Sequence, residues 1–434
     1  MSLIRKIYNL FYLKNEAWKS ANELVELQNN KLRSMIDYAC INIPYYEDIY
    51  KSLQLDKYPV LTVQDLERLP IITKEDIQKR PEDFVRPGAD ISQCLEMHTS
   101  GSTGMPLKIY YGEKDDDFSK VNNLRSFIEA GYKWGDSFVT ISDPDWVANR
   151  YHRKNSAGLQ QRLNVFNPID VNMRNSPSQI VDDILKIGKC DVLYGYPTNI
   201  FLVAKEVERR GSKVIKPRIV VTNGELLEPR MREYINNVFD TKLYDFYTTE
   251  EFKRIAWECE QHEGYHIDME SVVLEFVKDG KQVPKGERGE IIITSLYNYT
   301  MPLIRYRQGD IGIESTDVCA CGRGLKLMKA LEGRTDNFII NKKNELFSPQ
   351  IFWSIFRHYF SMKKYQILQD STGCIKVLYC KNPESNSLER DIQEIEKKIK
   401  ESLGYEMNID FEEIESFGPG KRKSVSSKLK PSLY

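Results

Sequence analysis

No apolar run in this sequence approaches the ~20 residues that a membrane-spanning helix needs. No sign of charge dominates either: 62 Lys and Arg stand against 63 Asp and Glu, a formal net charge of −1. That balance argues against a dedicated nucleic-acid binder, for which a strongly basic domain is expected. Cysteine is sparse, and eight in 434 residues do not make a disulfide framework. Cys40, Cys94, Cys190, Cys374 and Cys380 read as ordinary reduced thiols, which makes the cytoplasm the expected compartment. Internal repeats and low-complexity tracts are missing too. The opening stretch, Met1 to Leu13, mixes charge with aromatics and lacks a small-residue cleavage site, so it is a poor secretion signal. It has the makings of an amphipathic segment on a membrane surface, but packing on the protein body is the expectation.

The length predicts two or three domains, at roughly 100–200 residues each. In residues 20–41 the apolar positions Leu24, Leu27, Leu32, Met35, Ile36 and Ala39 recur at helical spacing, and Pro44-Tyr45-Tyr46 ends that helix. Thr73 and Asp76 read as the cap and third-position acid of another short helix. Residues 1–95 are thus a helical lead-in. Beyond them strands and helices alternate: strands at 138–142, 191–194, 218–222 and 242–247, and helices at 177–187, from Thr198 to Gly211, and at 228–239 with Pro229 in first position. Such alternation predicts an α/β fold, a large layered N-terminal domain with mostly parallel sheets. In sheets of that kind ligands bind at the carboxyl ends of strands. Residues 271–277 and 289–295 read as paired strands. After Asp336 the pattern becomes a small α+β unit, with strands near 363–369, 374–380 and 407–414 and a helix at 388–403 stopped by Gly404. The expected domains are 1–335 and a C-terminal α+β lid, 336–434.

The stretch that carries chemistry most plainly is Thr99-Ser100-Gly101-Ser102-Thr103-Gly104, followed by Met105-Pro106. Glycines let the backbone approach a ligand closely, and exposed amides with interleaved hydroxyls form an anion nest suited to nucleotide phosphates. A flexible surface loop is the plainer alternative. It is not a Walker loop, because no Gly-Lys-Ser/Thr closes it.

Further segments follow in a fixed order: Gly195-Tyr196-Pro197, Asn223-Gly224-Glu225, Tyr247-Thr-Thr-Glu-Glu-Phe252, Pro302-Leu-Ile-Arg-Tyr-Arg-Gln-Gly-Asp310, Gly333-Arg-Thr-Asp336 and Gly420-Lys421. Together with the Ser/Thr/Gly loop they resemble the adenylate-forming (AMP-binding) superfamily, in its phenylacetate–CoA ligase-like branch. That branch includes proteins of capsular polysaccharide biosynthesis and coenzyme F390 synthetases. The resemblance spans nearly the whole chain, from Pro44-Tyr45-Tyr46 to Lys421. It implies an acid–thiol ligase that joins a small carboxylic acid to ATP, releasing pyrophosphate, and passes the acyl group to a thiol, usually coenzyme A.

The resemblance also implies roles. The ATP-binding residues are Thr99, Ser100, Gly101, Ser102, Thr103, Gly104, Asn223, Gly224, Glu225, Asp245, Tyr247, Asp310 and Arg334. Asp310 would accept from the ribose hydroxyls, and Arg334 would offer a planar fork to ribose or phosphate oxygens. Glu251 would hold Mg²⁺ beside the phosphates. Lys421 would carry positive charge to the transition state, with Lys423 and Lys428 as rivals, and Asp336 is the hinge. Plainer readings stand beside these: Asp310 shaping a turn, Glu251 a solvated acid, Arg334 paired with Glu332 or Asp336, and Lys421 part of a basic tail.

There are departures from the pattern. Met105 replaces a lysine often found in the loop, and Thr248 stands at a glycine position. Glu250 replaces a Ser or Thr, and a second carboxylate there would repel phosphates unless magnesium or a base compensates. Asn337 replaces the second aspartate after Gly-Arg. Two alternatives therefore stay open: acyl activation for surface polysaccharide modification without coenzyme A, and a catalytically inactive nucleotide-binding protein.

Cys259, His266, Cys319 and Cys321 have the composition of a Cys₃His structural zinc site, with His262 as rival imidazole. The segments look like those of a metal-bearing subset of the same family; three free thiols and a packed histidine are the plainer reading. For the acid pocket, Tyr132, Trp134, Trp146, Tyr194 and Tyr196 supply aromatic candidates, and His98 is a candidate for orienting the acid.

Overall fold

A computed structural model describes residues 2–54, 59–98, 107–142, 168–172, 175, 177–211, 214–334, 339–343, 346–347, 352, 355–356, 359, 361–383, 385–417 and 425–429. The chain forms two compact units, Met1–Gln308 with Gly312–Leu331, and Gly309–Ile311 with Glu332–Tyr434.

The large unit opens on helices. Ser2–Glu16 packs on the helix Glu113–Glu129 through Arg5 and Lys6, which pair with Asp117, and it buries Leu13. It leaves Ile4, Tyr8 and Phe11 exposed on its other side. Ser20 then starts Ala21–Asn42 with a capping box: its side chain accepts from the Glu23 amide, and Glu23 reaches back to the Ser20 amide at 2.9 Å. Pro44 ends that helix, as expected, and also begins another, Pro44–Ser52. A proline has no N–H to lose at a first helical position. The Thr73–Asp76 box caps Lys74–Lys79 as the sequence predicts.

The centre is a twelve-stranded sheet. Its order is Lys281–Gln282, Val272–Lys278, Arg288–Ser295, Tyr306–Glu314, Leu327–Arg334, Tyr265–Ile267, Lys253–Glu258, Leu243–Thr249, Ile219–Asn223, Val192–Gly195, Phe138–Ser142 and Ile169–Asn172. The α/β class holds, and the parallel pairings described in this sheet fall in the last five strands in that order. Lys253–Glu258 pairs antiparallel with both its neighbours, because the short connections on either side of it can only return the chain antiparallel. The parallel part carries crossover helices Pro177–Ile187, Pro197–Arg210 and Pro229–Phe239, packed through Val203, Val207, Ile235 and Leu243. The second of these starts at Pro197 with Tyr196 as cap, rather than at Thr198, and Gly211 ends it at φ 103°.

In the small unit, four strands lie in the order Asn408–Glu413, Cys374–Lys381, Met362–Ser371 and Val425–Ser427. The helix Leu388–Leu403 buries Ile395, Ile399 and Leu403 against Ile367 and Val377, and Gly404 caps it as expected. Among the described residues no helix is long and apolar enough to cross a membrane.

Candidate active site

Parallel strands bring their carboxyl ends to one edge, and three of the sequence segments lie there. Gly195 is in register with Thr222, and Asn223 with Phe246. Asn223 donates through Nδ2 to Thr248 Oγ1 at 3.0 Å, tying the Asn-Gly-Glu segment to the Tyr247–Phe252 segment. Gly224 has φ 73°, and a Cβ there would lie 2.8 Å from Tyr196 Cε1. Its glycine is thus required twice, by backbone sign and by the ring packed on it. Glu225 follows, half-buried.

Tyr247 is buried in the core, and Glu251 beyond it is 7% exposed. Tyr306 donates to Glu251 Oε1 at 3.3 Å, and Tyr111 donates to the Glu251 carbonyl at 2.5 Å. Glu251 is therefore a positioned acid rather than a freely solvated one, and it joins the Tyr247–Phe252 segment to the run that begins at Pro302. Glu250, the added carboxylate, has a base beside it: Lys253 Nζ lies 3.6 Å from Glu250 Oε2 and sits over the Tyr111 ring. Lys253 is held at φ 58°, and burial lowers its ammonium below the ordinary value.

Asp245 is tied into the sheet by its neighbours. Its carboxylate is buried, accepting from Thr222 Oγ1 at 2.6 Å and from Tyr265 Oη at 2.7 Å. Burial, and then the nearby Glu258, push it up to about 7. It belongs to the interior of the sheet. Asp310 lies buried in the strand Tyr306–Glu314, and Arg334 ends the strand Leu327–Arg334. Thr99–Gly104, Asp336, Lys421 and Lys423 lie outside the described residues, as does Trp146. Lys428 is described, and it pairs with Asp370 at 3.0 Å on the surface.

The aromatic candidates divide. Tyr132 and Tyr194 join a packed cluster with Phe127, Phe138 and Phe246. Trp134 is 75% exposed. Sequence reasoning missed two residues. Arg305, inside the Pro302–Asp310 run, is a structural side chain that bonds Glu275 through Nε and Nη2 at 3.1 and 2.9 Å. Arg254 lies beside the Asn223–Thr248 link, opposite Thr248 in the strand register. A basic residue five positions after Thr249 was the one available signal.

Away from the strand ends, Cys259, His266, Cys319 and Cys321 come together with their donor atoms all within 4.8 Å of one another. Cys259 Sγ is 3.5 Å from Cys319 Sγ, and Cys321 Sγ is 3.4 Å from His266 Nε2. Those separations match the edges of a tetrahedron with zinc–sulfur bonds of about 2.3 Å and zinc–nitrogen bonds of about 2.0 Å. Burial, and then Arg323, push His266 down to about 4, so its imidazole is neutral with a lone pair to give. The donor set fits zinc. His262 is elsewhere, with its ring tilted at 42° against Tyr244 at 4.7 Å between centroids.

No family model matches the sequence. The chain is 24% identical over 445 residues to phenylacetate-coenzyme A ligase of Aromatoleum evansii, covering 94% of each. It is 24% identical over 387 residues to the enzyme of that name from Escherichia coli strain K12, covering 83% of each. It is also 24% identical over 439 residues to protein CapK of Staphylococcus aureus, covering 97% of this chain and 93% of CapK. Among solved structures, 2-hydroxyisobutyryl-CoA ligase in its postadenylation state superposes with a TM-score of 0.77 at 16% identity, over 95% of this chain and 91% of that one. That likeness establishes the fold.

Proposed function

We propose that this chain, which resembles the phenylacetate–CoA ligase-like branch of the adenylate-forming superfamily, is an AMP-forming acid–thiol ligase acting on a small carboxylic acid. The observation that carries the reading is the meeting of Tyr196, Asn223–Gly224 and Thr248 at one edge of the parallel strands, with Glu251 fixed just beyond. In sheets of this kind that edge is where ligands bind.

In the first half-reaction a carboxylate oxygen of the acid attacks the α-phosphorus of ATP, and pyrophosphate leaves. In the second a thiol sulfur attacks the acyl carbon, loses its proton, and AMP leaves. Asn223, Gly224, Glu225 and Tyr247 border the nucleotide in this reading. Magnesium, when bound, neutralises phosphate charge, and Glu251 is the carboxylate that would hold it. Lys253 offsets Glu250, so the added acid does not repel the phosphates. The resemblance supplies the remaining roles: the loop Thr99–Gly104 for the leaving phosphates, Asp310 and Arg334 for the ribose, Asp336 as hinge, and Lys421 as the cation at the transition state. Cys259, His266, Cys319 and Cys321 would hold a structural zinc, which does no chemistry because protein donors fill all four positions.

A second reading, acyl transfer to an acceptor other than coenzyme A, is favoured by one observation: the likeness to CapK is as extensive as the likeness to the ligases. One experiment tests both. Acid-dependent pyrophosphate release is measured across a panel of carboxylic acids, with and without coenzyme A. Release with thioester formation supports the ligase, release without coenzyme A consumption supports the second reading, and no release with any acid contradicts both.

A further inference from the structure

Three arginines of the large unit are at most 2% exposed: Arg125, Arg254 and Arg305. Two of them face carboxylates. Arg125 pairs with Asp268 and Glu270, and Arg305 with Glu275. Arg125 leaves its Nε unbonded, yet its charge is met twice.

Arg254 is different. Its Nη2 donates to Asn123 Oδ1, while Nε and Nη1 have no hydrogen-bond partner among the described residues, and no carboxylate there pairs with it. The guanidinium lies over the Phe246 ring at 4.0 Å and near the Phe127 ring at 5.7 Å. The Tyr194 side chain is a further polar neighbour, and Asp268 and Asp245 act on the charge from beyond bonding distance. Aromatic faces attract a cation, but they do not bond the in-plane N–H groups. A buried guanidinium with two N–H groups left unbonded is costly, because those groups have given up water without replacing it.

The position gives the charge a use. Arg254 stands opposite Thr248, whose hydroxyl takes the bond from Asn223, at the edge where the proposed reaction occurs. A planar fork with free N–H groups matches a carboxylate geometrically. The other aromatics near it are packed on one another rather than lining an apolar slot.

We propose that Arg254 anchors a second carboxylate on the acid, so that the substrate is a dicarboxylic acid and not an apolar one of the phenylacetate type. This rests on the ligase reading for the chemistry, although the anion site can be tested without it. Pyrophosphate release would be measured for matched pairs of equal chain length, such as glutarate against pentanoate, and carboxyphenylacetate against phenylacetate. The expected result is a kcat/KM ratio in favour of the dicarboxylate, falling roughly 10²-fold in Arg254→Met, the scale of one buried charged hydrogen-bond set. The loss should appear mainly in KM. Arg254→Lys, which keeps the charge and loses the fork, should recover part of the ratio and guards against a folding defect in the Met variant. A wild-type preference for the monocarboxylate, or a ratio unmoved by Arg254→Met, overturns the proposal. If no acid releases pyrophosphate, the ligase reading fails separately. The anion site is then read by thermal stability: dicarboxylate raising the melting temperature of the wild type and not of Arg254→Met supports it, and equal or absent shifts overturn it.

Discussion

Arg125, on the helix Glu113–Glu129, and Arg254, on the strand Lys253–Glu258 packed against that helix, are buried to different effect. In the first place Arg125 meets Asp268 and Glu270, Asn122 Nδ2 donates to Asp268 Oδ2 at 2.8 Å, and Trp257 Nε1 donates to Asp268 Oδ1 at 2.8 Å. In the second Arg254 bonds one side-chain amide and packs on two aromatic faces, with no carboxylate bonded to it among the described residues. A closed network holds elements together and has nothing left for a ligand. An open one stabilises little by itself and is placed to receive something. The contrast separates the structural arginine from the functional one better than burial does, since both are nearly inaccessible.

The largest effect expected from breaking this contrast is on the closed side. Arg125→Met leaves Asp268 and Glu270 buried without their cation and should cost roughly 3–5 kcal/mol, the usual penalty for removing one partner of a buried ion pair. Denaturant unfolding measures it. Opening the Cys₃His cluster should come next. Cys319→Ser should lower the metal content read by elemental analysis and destabilise the protein by roughly 3 kcal/mol, as losses of structural metals do. Unchanged stability together with no metal in the wild type would return those thiols to ordinary packing.

Asp245 gives a pH-dependent version of the same comparison. Its folded value, about 7, lies above the unfolded value of about 3.9. The folded state therefore binds the extra proton between those values, and stability falls as pH rises from about 4 to about 7. Asp245→Asn should remove this fall, which amounts to roughly 2–4 kcal/mol across the window. Thermal melts of both proteins at pH 5 and pH 8 would show it, as a gap between the two that widens with pH. Gly224→Ala should cost roughly 1–2 kcal/mol by forcing a side chain into a positive-φ position against Tyr196. The smallest stability change belongs to Arg254→Met, within about 1 kcal/mol of wild type or slightly stabilising, because a buried charge with no carboxylate bonded to it is removed. A loss as large as that of Arg125→Met would erase the distinction between the two regions.

Much of this was legible from residue order. Capping boxes at Thr73 and the glycine stop at Gly404 are local signals, and they appear where their chemistry places them. The alternation of strands and helices gave the parallel part of the sheet, and hence the shared edge of the segments at Asn223 and Tyr247. In the antiparallel half the pair at 271–277 and 289–295 was legible and is present, whereas the pairing of Leu327 with His266 was not, since strands do not announce partners across some sixty residues. Side-chain roles inside motifs were harder still. Asp245 and Arg305 sit in or beside conspicuous runs, yet Asp245 bonds Thr222 and Tyr265 and Arg305 bonds Glu275, partners remote in sequence. Arg254 was silent for the same reason. Its meaning lies in two N–H groups left unbonded among the described residues, which only three dimensions reveal.

The central claim is that the strand-end edge is where ATP is bound and the acid activated. A crystal structure of the protein with a non-hydrolysable ATP analogue and Mg²⁺ tests it most directly. The account predicts the nucleotide against Asn223–Glu225 and Tyr247, with its phosphates toward Glu251. Nucleotide bound at another surface, with that edge empty, would contradict it.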